Sequence, residues 1–349
     1  MPTTFARALG AFSLLISALC LLAGTARADL VWAPETGWRI EGGVLSGLTG
    51  TDGSRALELM NKARSAEERG SERTALRAYA KVAKKYPTSV YAPEAYYRSG
   101  MLRLERKQYY DAFTALQRVA AVYPNTKRFD EVIGEEYRIA AALLNGKRNR
   151  LWGLIPSFRN RQMGIGYFEI VLHNAPYSDY APLALMNIAT GHLRLHNSYE
   201  ALDALDRMIN AYPQSVLAPD AYLKLAQTNA KLVDGPLYDQ AATKEAITYF
   251  QDFMILFPND PKVPEAAKGL DEVKQIFAES KMKIGDFYFE HRRNYVAAKV
   301  LYNEAITAYP DSPVAARAKE KLAAVEALAA GKPAPAGSHP KRKKRFFLF

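Results

Sequence analysis

The sequence predicts an all-α fold: a right-handed solenoid of helical hairpins, about six units long, closed by a C-terminal capping helix. Two observations predict it. The first is a turn phrase that recurs along the chain as YPTSVYAPEAY (86–96), APYSDYAPLAL (175–185), AYPQSVLAPDAY (211–222), FPNDPKVPEAA (257–267) and YPDSPVAARAK (309–319). The second is a set of fixed offsets counted back from Pro87, Pro124, Pro176, Pro213, Pro258 and Pro310.

Twelve residues before each proline the side chain is small: Ala75, Ala112, Gly164, Ala201, Ala246 and Ala298. Eight before it is bulky: Tyr79, Leu116, Phe168, Leu205, Phe250 and Tyr302. Five before it is apolar: Val82, Val119, Val171, Met208, Phe253 and Ala305. Offsets of four and three place all three positions on one stripe of a helix. The small residue lets a neighbouring helix approach and the bulky one fills the space beside it. Short polar residues at Ser89, Thr126, Ser178, Ser215, Asp260 and Ser312 suit turns and helix starts. Pro93, Pro182, Pro219 and Pro264 suit a first helical turn. The phrase therefore ends one helix, turns the chain and starts the next. In the second unit Tyr96, Gly100, Ala112, Leu116 and Pro124 fit the tetratricopeptide repeat (TPR) pattern. A single hairpin cannot bury its apolar stripe, so the units must stack.

From the N-terminus, residues 1–28 read as a secretory signal: Arg7, an apolar run over 8–23, and Ala26-Arg27-Ala28 as the cleavage site. Cys20, the one cysteine, follows Leu19 where a lipid-attachment signal needs a small residue, so it is expected to leave with the signal. The exported chain would then carry no thiol chemistry. Loss of Arg7 and Arg27 lowers the formal charge from +11 to +9, and the tail KRKKR (341–345) holds five of those charges. Residues 29–53, Gly-rich with Trp32 and Trp38, read as an extended lead with aromatic anchors. N-terminal TPR units are expected over 54–216, with an insertion at 145–163, and C-terminal units with the capping helix over 217–330. DGPLYDQ (234–240) lengthens the turn of the fifth unit, and the sixth has a long first helix near 264–291. Residues 331–349 read as a disordered basic and aromatic tail.

No catalytic constellation emerges, and neither a cofactor nor a metal is expected. The glycines of 42–53 lack the Lys-Ser/Thr of a phosphate loop and follow no expected strand. Gly164 and Gly166 match no dinucleotide fingerprint. His192 and His196 stand four apart on an expected helix, but Leu193 occupies the place of the zinc-protease glutamate. The bland reading of that pair is two helix-face histidines. The insertion carries Lys147, Arg148, Arg150, Arg159 and Arg161 without an acid, interleaved with Trp152, Leu154, Ile155 and Phe158. Arg148, Arg150, Trp152, Arg159 and Arg161 are candidates for contact with a partner protein or an anionic lipid surface. In the alternative, the apolar residues tuck against the first helices of the units. Phe346, Phe347, Leu348 and Phe349 after the basic tail suit an outer-membrane surface, and the export signal argues against nucleic acid. Tyr96, Tyr97, Arg98, Arg103, Tyr137, Arg138 and Tyr222 lie on the helices that would line a groove for extended peptides. Packing between helices is the competing role for the tyrosines.

The runs YDQAATKEAITYFQDFMILFPNDPKVPEAA and FYFEHRRNYVAAKVLYNEAITAYPDSPVAARA, with the repeats before them, resemble BamD-like proteins, the periplasmic helical subunits of the outer-membrane β-barrel assembly machinery. The resemblance implies a non-enzymatic scaffold on the periplasmic side of the outer membrane. It implies a surface near Tyr288, Glu290, Arg292 and Arg293 for the POTRA region of the barrel-forming subunit. It also implies a surface near Tyr96, Tyr97, Arg103 and Tyr137 for unfolded outer-membrane proteins. The family is usually lipid-anchored through an N-terminal cysteine; without that signal, the partner or the tail would do the tethering. Two other classes are open: a periplasmic TPR adaptor coordinating cell-wall synthesis with envelope constriction, and a hydrolase built on His192 and His196.

Overall fold

A computed structural model describes residues 29–41, 51–331 apart from Asp239, and Pro333. The signal segment with Cys20 and the tail 341–349 lie outside the described residues.

The fold class is the one expected, an all-α TPR-type solenoid. The first compact unit, ending at Pro176, holds three hairpins: α1 (Thr51–Glu68) with α2 (Glu72–Lys85), α3 (Ala92–Glu105) with α4 (Tyr109–Val122), and α5 (Phe129–Leu144) with α6 (Arg161–Asn174). The second, starting at Tyr177, holds α7 (Tyr180–Arg194) with α8 (Ser198–Ala211), α9 (Ala218–Lys231) with α10 (Ala241–Leu256), α11 (Val263–Phe287) with α12 (Tyr295–Ala308), and the cap α13 (Pro313–Ala329). The division falls after Pro176, whereas the sequence reading drew it at 216/217.

Every small, bulky and apolar position of the repeat is buried. In α6 the small position is glycine for a steric reason. A Cβ on Gly164 would come within 2.7 Å of the Leu144 backbone nitrogen and 2.9 Å of the Ala140 carbonyl oxygen, so α5 and α6 touch backbone to backbone.

The prolines end the second helix of each hairpin through the residue before them. A residue preceding proline is pushed out of the helical region. Tyr86, Tyr123, Ala175, Tyr212 and Phe257 accordingly share one conformation, with φ from −127° to −139° and ψ from 54° to 63°. The next helix then starts within a few residues, with Pro93, Pro219 and Pro264 in its first turn. The polar residue two after the proline is mainly a turn residue. Of these, Ser312 caps its helix, its hydroxyl accepting from the Ala315 N–H at 3.0 Å.

Inside the hairpins a second motif repeats. Gly70, Lys107, Gly146 and His196 adopt positive φ, and each follows the same pair of backbone bonds. In the second hairpin Gln108 N–H reaches Arg103 O and Lys107 N–H reaches Leu104 O; in the fourth, Asn197 N–H reaches His192 O and His196 N–H reaches Leu193 O. This Schellman geometry satisfies the last carbonyls of the helix.

Residues 29–41 are not an extended lead. They form a β-hairpin, β1 (Asp29–Ala33) against β2 (Gly37–Glu41), with Trp32 opposite Trp38. The hairpin docks on α1. Trp38 is buried, its backbone N–H donates to Asn61 Oδ1 at 2.8 Å, and the Arg64 guanidinium lies 4.4 Å from the centre of the Trp32 ring. Leu30, Trp32 and Ile40 complete the core formed by Met60, Ala63, Tyr79 and Val82. Helix α1 begins at Thr51, three residues ahead of the expected boundary at 54.

Candidate protein-binding surfaces

In the first unit the expected groove residues are tied down. Tyr97 is buried, its hydroxyl donates to the Glu131 carboxylate, and the Arg128 guanidinium sits 4.5 Å from its ring centre. Arg128 bridges two carboxylates at 2.6 Å each, Glu94 and Glu131, while Arg98 holds the other Glu94 oxygen at 2.9 Å. Burial pushes Glu131 upward, but the Tyr97 hydroxyl and the Arg128 charge outweigh it and hold the carboxyl below its ordinary range. Burial, then the hydrogen bond to Glu131, raises the Tyr97 phenol far above its usual value. Tyr96 is half-buried and 6.3 Å from Tyr123, Tyr137 meets Phe168 edge-on at 5.2 Å, and Arg103 donates to the Asp111 carbonyl. The four expected residues thus serve four different neighbours.

Beside the cluster lies an open cavity of about 720 Å³. Leu30, Val31 and Ile40 of the β-hairpin line one part of it; Val90, Glu94, Val122, Tyr123, Arg128 and Glu131 are among the residues that line the rest. Sequence reasoning missed Glu94, Arg128 and Glu131. Their one legible sign is the three-residue spacing of Arg128 and Glu131, since Glu94 comes from another hairpin.

In the second unit, α11 passes into a single π-helical turn, Tyr288–Arg292. Arg293 ends it with φ of +50°, Asn294 N–H returns to the Tyr288 carbonyl at 3.0 Å, and the Asn294 side chain caps α12 by accepting from Ala297 N–H. The wider turn drives Phe289 into the core beside Ala298, Tyr302 and Val314. Tyr288 packs onto that core, and Glu290 pairs with Lys321 at 3.1 Å. Arg292 and Arg293 face solvent. The exposed Phe287 ring carries His291 stacked on it at 5.5 Å and the Arg292 guanidinium at 5.6 Å. Phe287 and His291 were not among the expected contact residues, although both lie within FYFEHRR.

The basic insertion contains a two-stranded ribbon, β3 (Arg150–Leu151) against β4 (Ile155–Pro156). Its apolar residues do not tuck against the helices: Trp152 is 73% exposed, Leu154 70% and Phe158 93%. Lys147, Arg148, Arg150 and Arg159 are also exposed. Arg161 is not part of the loop. It is the first residue of α6, which Asn160 caps by accepting from the Met163 N–H at 2.9 Å.

The histidine pair does not share a helix. Helix α7 ends at Arg194, and His196 is the left-handed residue of the following turn. Among the described residues no group of three or more His, Cys, Asp and Glu is placed to hold a metal. A strand, β2, does precede the glycines of 42–53, contrary to expectation, but the Lys-Ser/Thr of a phosphate loop is still missing.

Fold and surfaces together define a helical-repeat protein of the TPR type, and a tetratricopeptide model matches residues 59–89 and 94–126. A second family model, YfiO, described as outer membrane lipoprotein, matches residues 160–334, half of the chain, and the chain belongs to that family. The outer membrane protein assembly factor BamD of Caulobacter vibrioides is 29% identical over 139 residues, 40% of this chain and 45% of the relative. BamD of Rickettsia prowazekii is 27% identical over 142 residues, 41% of this chain and 56% of the relative. The chain thus spans about half the length of the curated relatives it matches. A solved tetratricopeptide repeat protein from Parabacteroides merdae aligns with 76% of this chain and 98% of its own at 12% identity and a TM-score of 0.31. The family description speaks of a lipid anchor; Cys20 lies outside both the matched segment and the described residues.

Proposed function

We propose that this chain is a non-enzymatic scaffold subunit of the machinery that assembles β-barrel proteins into the outer membrane, acting at the periplasmic face. One observation carries the reading. The family match spans every helix of the second unit, including the Phe287–Arg293 corner. That corner offers what a protein partner can grip: an exposed aromatic ring with an imidazole and a guanidinium packed on it. Aromatic and arginine side chains dominate the energetics of such contacts. In this reading the POTRA region of the barrel subunit contacts Phe287, His291, Arg292 and Arg293, while Tyr288 and Glu290 hold the corner from beneath.

Unfolded outer-membrane proteins are assigned to the first unit. The cavity beside β1, rather than Tyr96, Tyr97, Arg103 and Tyr137 themselves, is the receiving surface. It is apolar at Leu30, Val31, Val90 and Val122, and polar where Arg128 meets Glu94 and Glu131. Tyr97 holds Arg128 in place, so the expected residue acts as a support.

A photo-crosslinking amino acid placed at Phe287 or Arg292, in cells carrying the full chain, tests the first surface. The expected product joins the chain to a large outer-membrane barrel protein. Crosslinks to peptidoglycan-synthesising enzymes alone would instead favour the cell-wall adaptor. The same probe at Val122 is expected to capture outer-membrane proteins before they fold.

A further inference from the structure

The ribbon of the insertion is hydrogen-bonded to the neighbouring hairpin yet leaves its apolar residues in water. Asn149 is buried, and its side-chain oxygen accepts from the Tyr110 N–H at 3.2 Å. Arg150 N–H donates to the Lys107 carbonyl at 2.9 Å, Ser157 N–H to the Asn149 carbonyl at 2.7 Å, and Arg106 Nη2 to the Trp152 carbonyl at 2.8 Å. Trp152 has φ of +54°, and Gly153 follows at +77°. A Cβ on Gly153 would stand 2.6 Å from Arg106 Nε, so the tip is pressed onto the side chain that fixes it. These bonds define the path of the backbone and bury none of the large side chains it carries.

From this we propose that the ribbon is an interfacial anchor that inserts Leu151, Trp152, Leu154, Ile155 and Phe158 into an anionic lipid surface. Charge complementarity selects that partner. Lys147, Arg148, Arg150 and Arg159 flank the apolar tip, and residues 145–163 contain no acid. Basic side chains gather at an anionic headgroup layer, tryptophan settles at the boundary beneath it, and phenylalanine and leucine beside it enter the acyl region. The form of the tip favours lipid over a folded protein. Leu151 and Ile155 are cross-strand partners and share one face of the ribbon, while Trp152 and Leu154 belong to the turn between them. The exposed side chains therefore belong to both strands and to the turn at the end of the ribbon. A fluid surface adapts to such a cluster; a folded partner would need a matching socket. The inference goes beyond the scaffold reading and does not depend on which protein binds the second unit.

The test uses the full chain with phosphatidylcholine vesicles and with otherwise identical vesicles containing phosphatidylglycerol. The expected result is co-sedimentation with the anionic vesicles, together with quenching of Trp152 emission by lipids brominated in the acyl chain. Trp152→Phe should remove the quenching, because Trp38 is buried in the core and Trp32 packs beside it. Replacing Lys147, Arg148, Arg150 and Arg159 by Gln should weaken binding to anionic vesicles by about tenfold or more. Replacing Leu151, Trp152, Leu154, Ile155 and Phe158 by Ser should weaken it comparably and leave the thermal midpoint unchanged, since all five are exposed. The basic tail is present in every variant, so binding equal to wild type in both sets would assign lipid contact to the tail and overturn the proposal. Absence of vesicle binding, with crosslinks from Phe158 to a protein, would overturn it in favour of a protein partner.

Discussion

The Tyr302 hydroxyl donates a hydrogen bond of 2.7 Å to Asp286, joining the middle of α12 to the last turn of α11. Tyr79 makes the matching bond in the first hairpin, to Glu67 at 2.6 Å. Tyr302 and Tyr79 are the two tyrosines among the bulky repeat positions, and leucine or phenylalanine takes that place in the four hairpins between them. In both, burial first and the carboxylate second raise the phenol far above its usual value, so the proton stays on the tyrosine and the donor is permanent. Asp286 also lies 3.5 Å from Lys321 of the cap, so one carboxylate holds α11, α12 and α13 together.

Tyr302→Phe is therefore expected to destabilise the second unit by about 1.5–3 kcal/mol, the typical result of removing a hydrogen bond to a charged group. Urea titration of the purified chain measures it. A change within error would mean that water replaces the lost hydroxyl at no cost.

Two glycines two residues apart in α6 should answer oppositely to alanine. At Gly164 the added methyl meets backbone of α5, which cannot swing aside, and a loss of about 1–3 kcal/mol is expected. At Gly166 a Cβ meets nothing within 4 Å, so Gly166→Ala should stabilise by up to about 1 kcal/mol through helix propensity. Thermal melts of the two variants against wild type decide it, and shifts of the same sign would contradict the packing described.

The contrast between these glycines marks what the sequence could and could not show. The repeat offset singles out Gly164, because five other units carry alanine there, and so the helical hairpins and their buried stripes were legible. Contacts set by distant residues were not. The pairing of Trp38 with Asn61 fixes where the β-hairpin docks, and nothing in residues 29–41 names that partner. Tyr97 reads as a groove residue until Glu131, from the next hairpin, takes its hydroxyl. The insertion was legible in composition but not in exposure, because the same apolar residues could have folded inward. The second histidine of the 192/196 pair was misread for a local reason: a Schellman turn usually announces itself with glycine, and here His196 fills that place.

That substitution makes a prediction of its own. Gly70 and Gly146 adopt the left-handed conformation freely, whereas Lys107 and His196 hold it against the contact between Cβ and backbone. His196→Gly and Lys107→Gly are each expected to raise stability by up to about 1 kcal/mol, the steric gain being partly offset by the greater freedom of glycine in the unfolded chain. Gly70→Ala should lower it, although its Cβ would meet nothing within 4 Å, because its φ is +69°. Urea titrations of the three variants test the set together, and destabilisation by His196→Gly would point to a role for the imidazole that the turn geometry does not supply.

The last prediction concerns Glu136, fully buried on α5. One of its carboxyl oxygens has no hydrogen-bond partner, and the other accepts from the Asn174 amide at 3.4 Å. Burial pushes the carboxyl up to about 8, and the Asn174 amide only partly opposes it. The sign follows from proton counting. Between its ordinary value of 4.5 and about 8, the folded chain holds a proton that the unfolded chain releases. The contribution of Glu136 to stability is therefore fully present below 4.5 and is lost as pH rises through about 8. Glu136→Gln keeps the shape without the charge. It should flatten the decline of stability between pH 5 and pH 8 and make the variant more stable than wild type at pH 8, by on the order of a few kcal/mol. Urea titrations of both proteins across that range supply the comparison. Parallel stability profiles would show that Glu136 ionises in the folded chain as it does in water, through solvent reaching the α5–α6 contact.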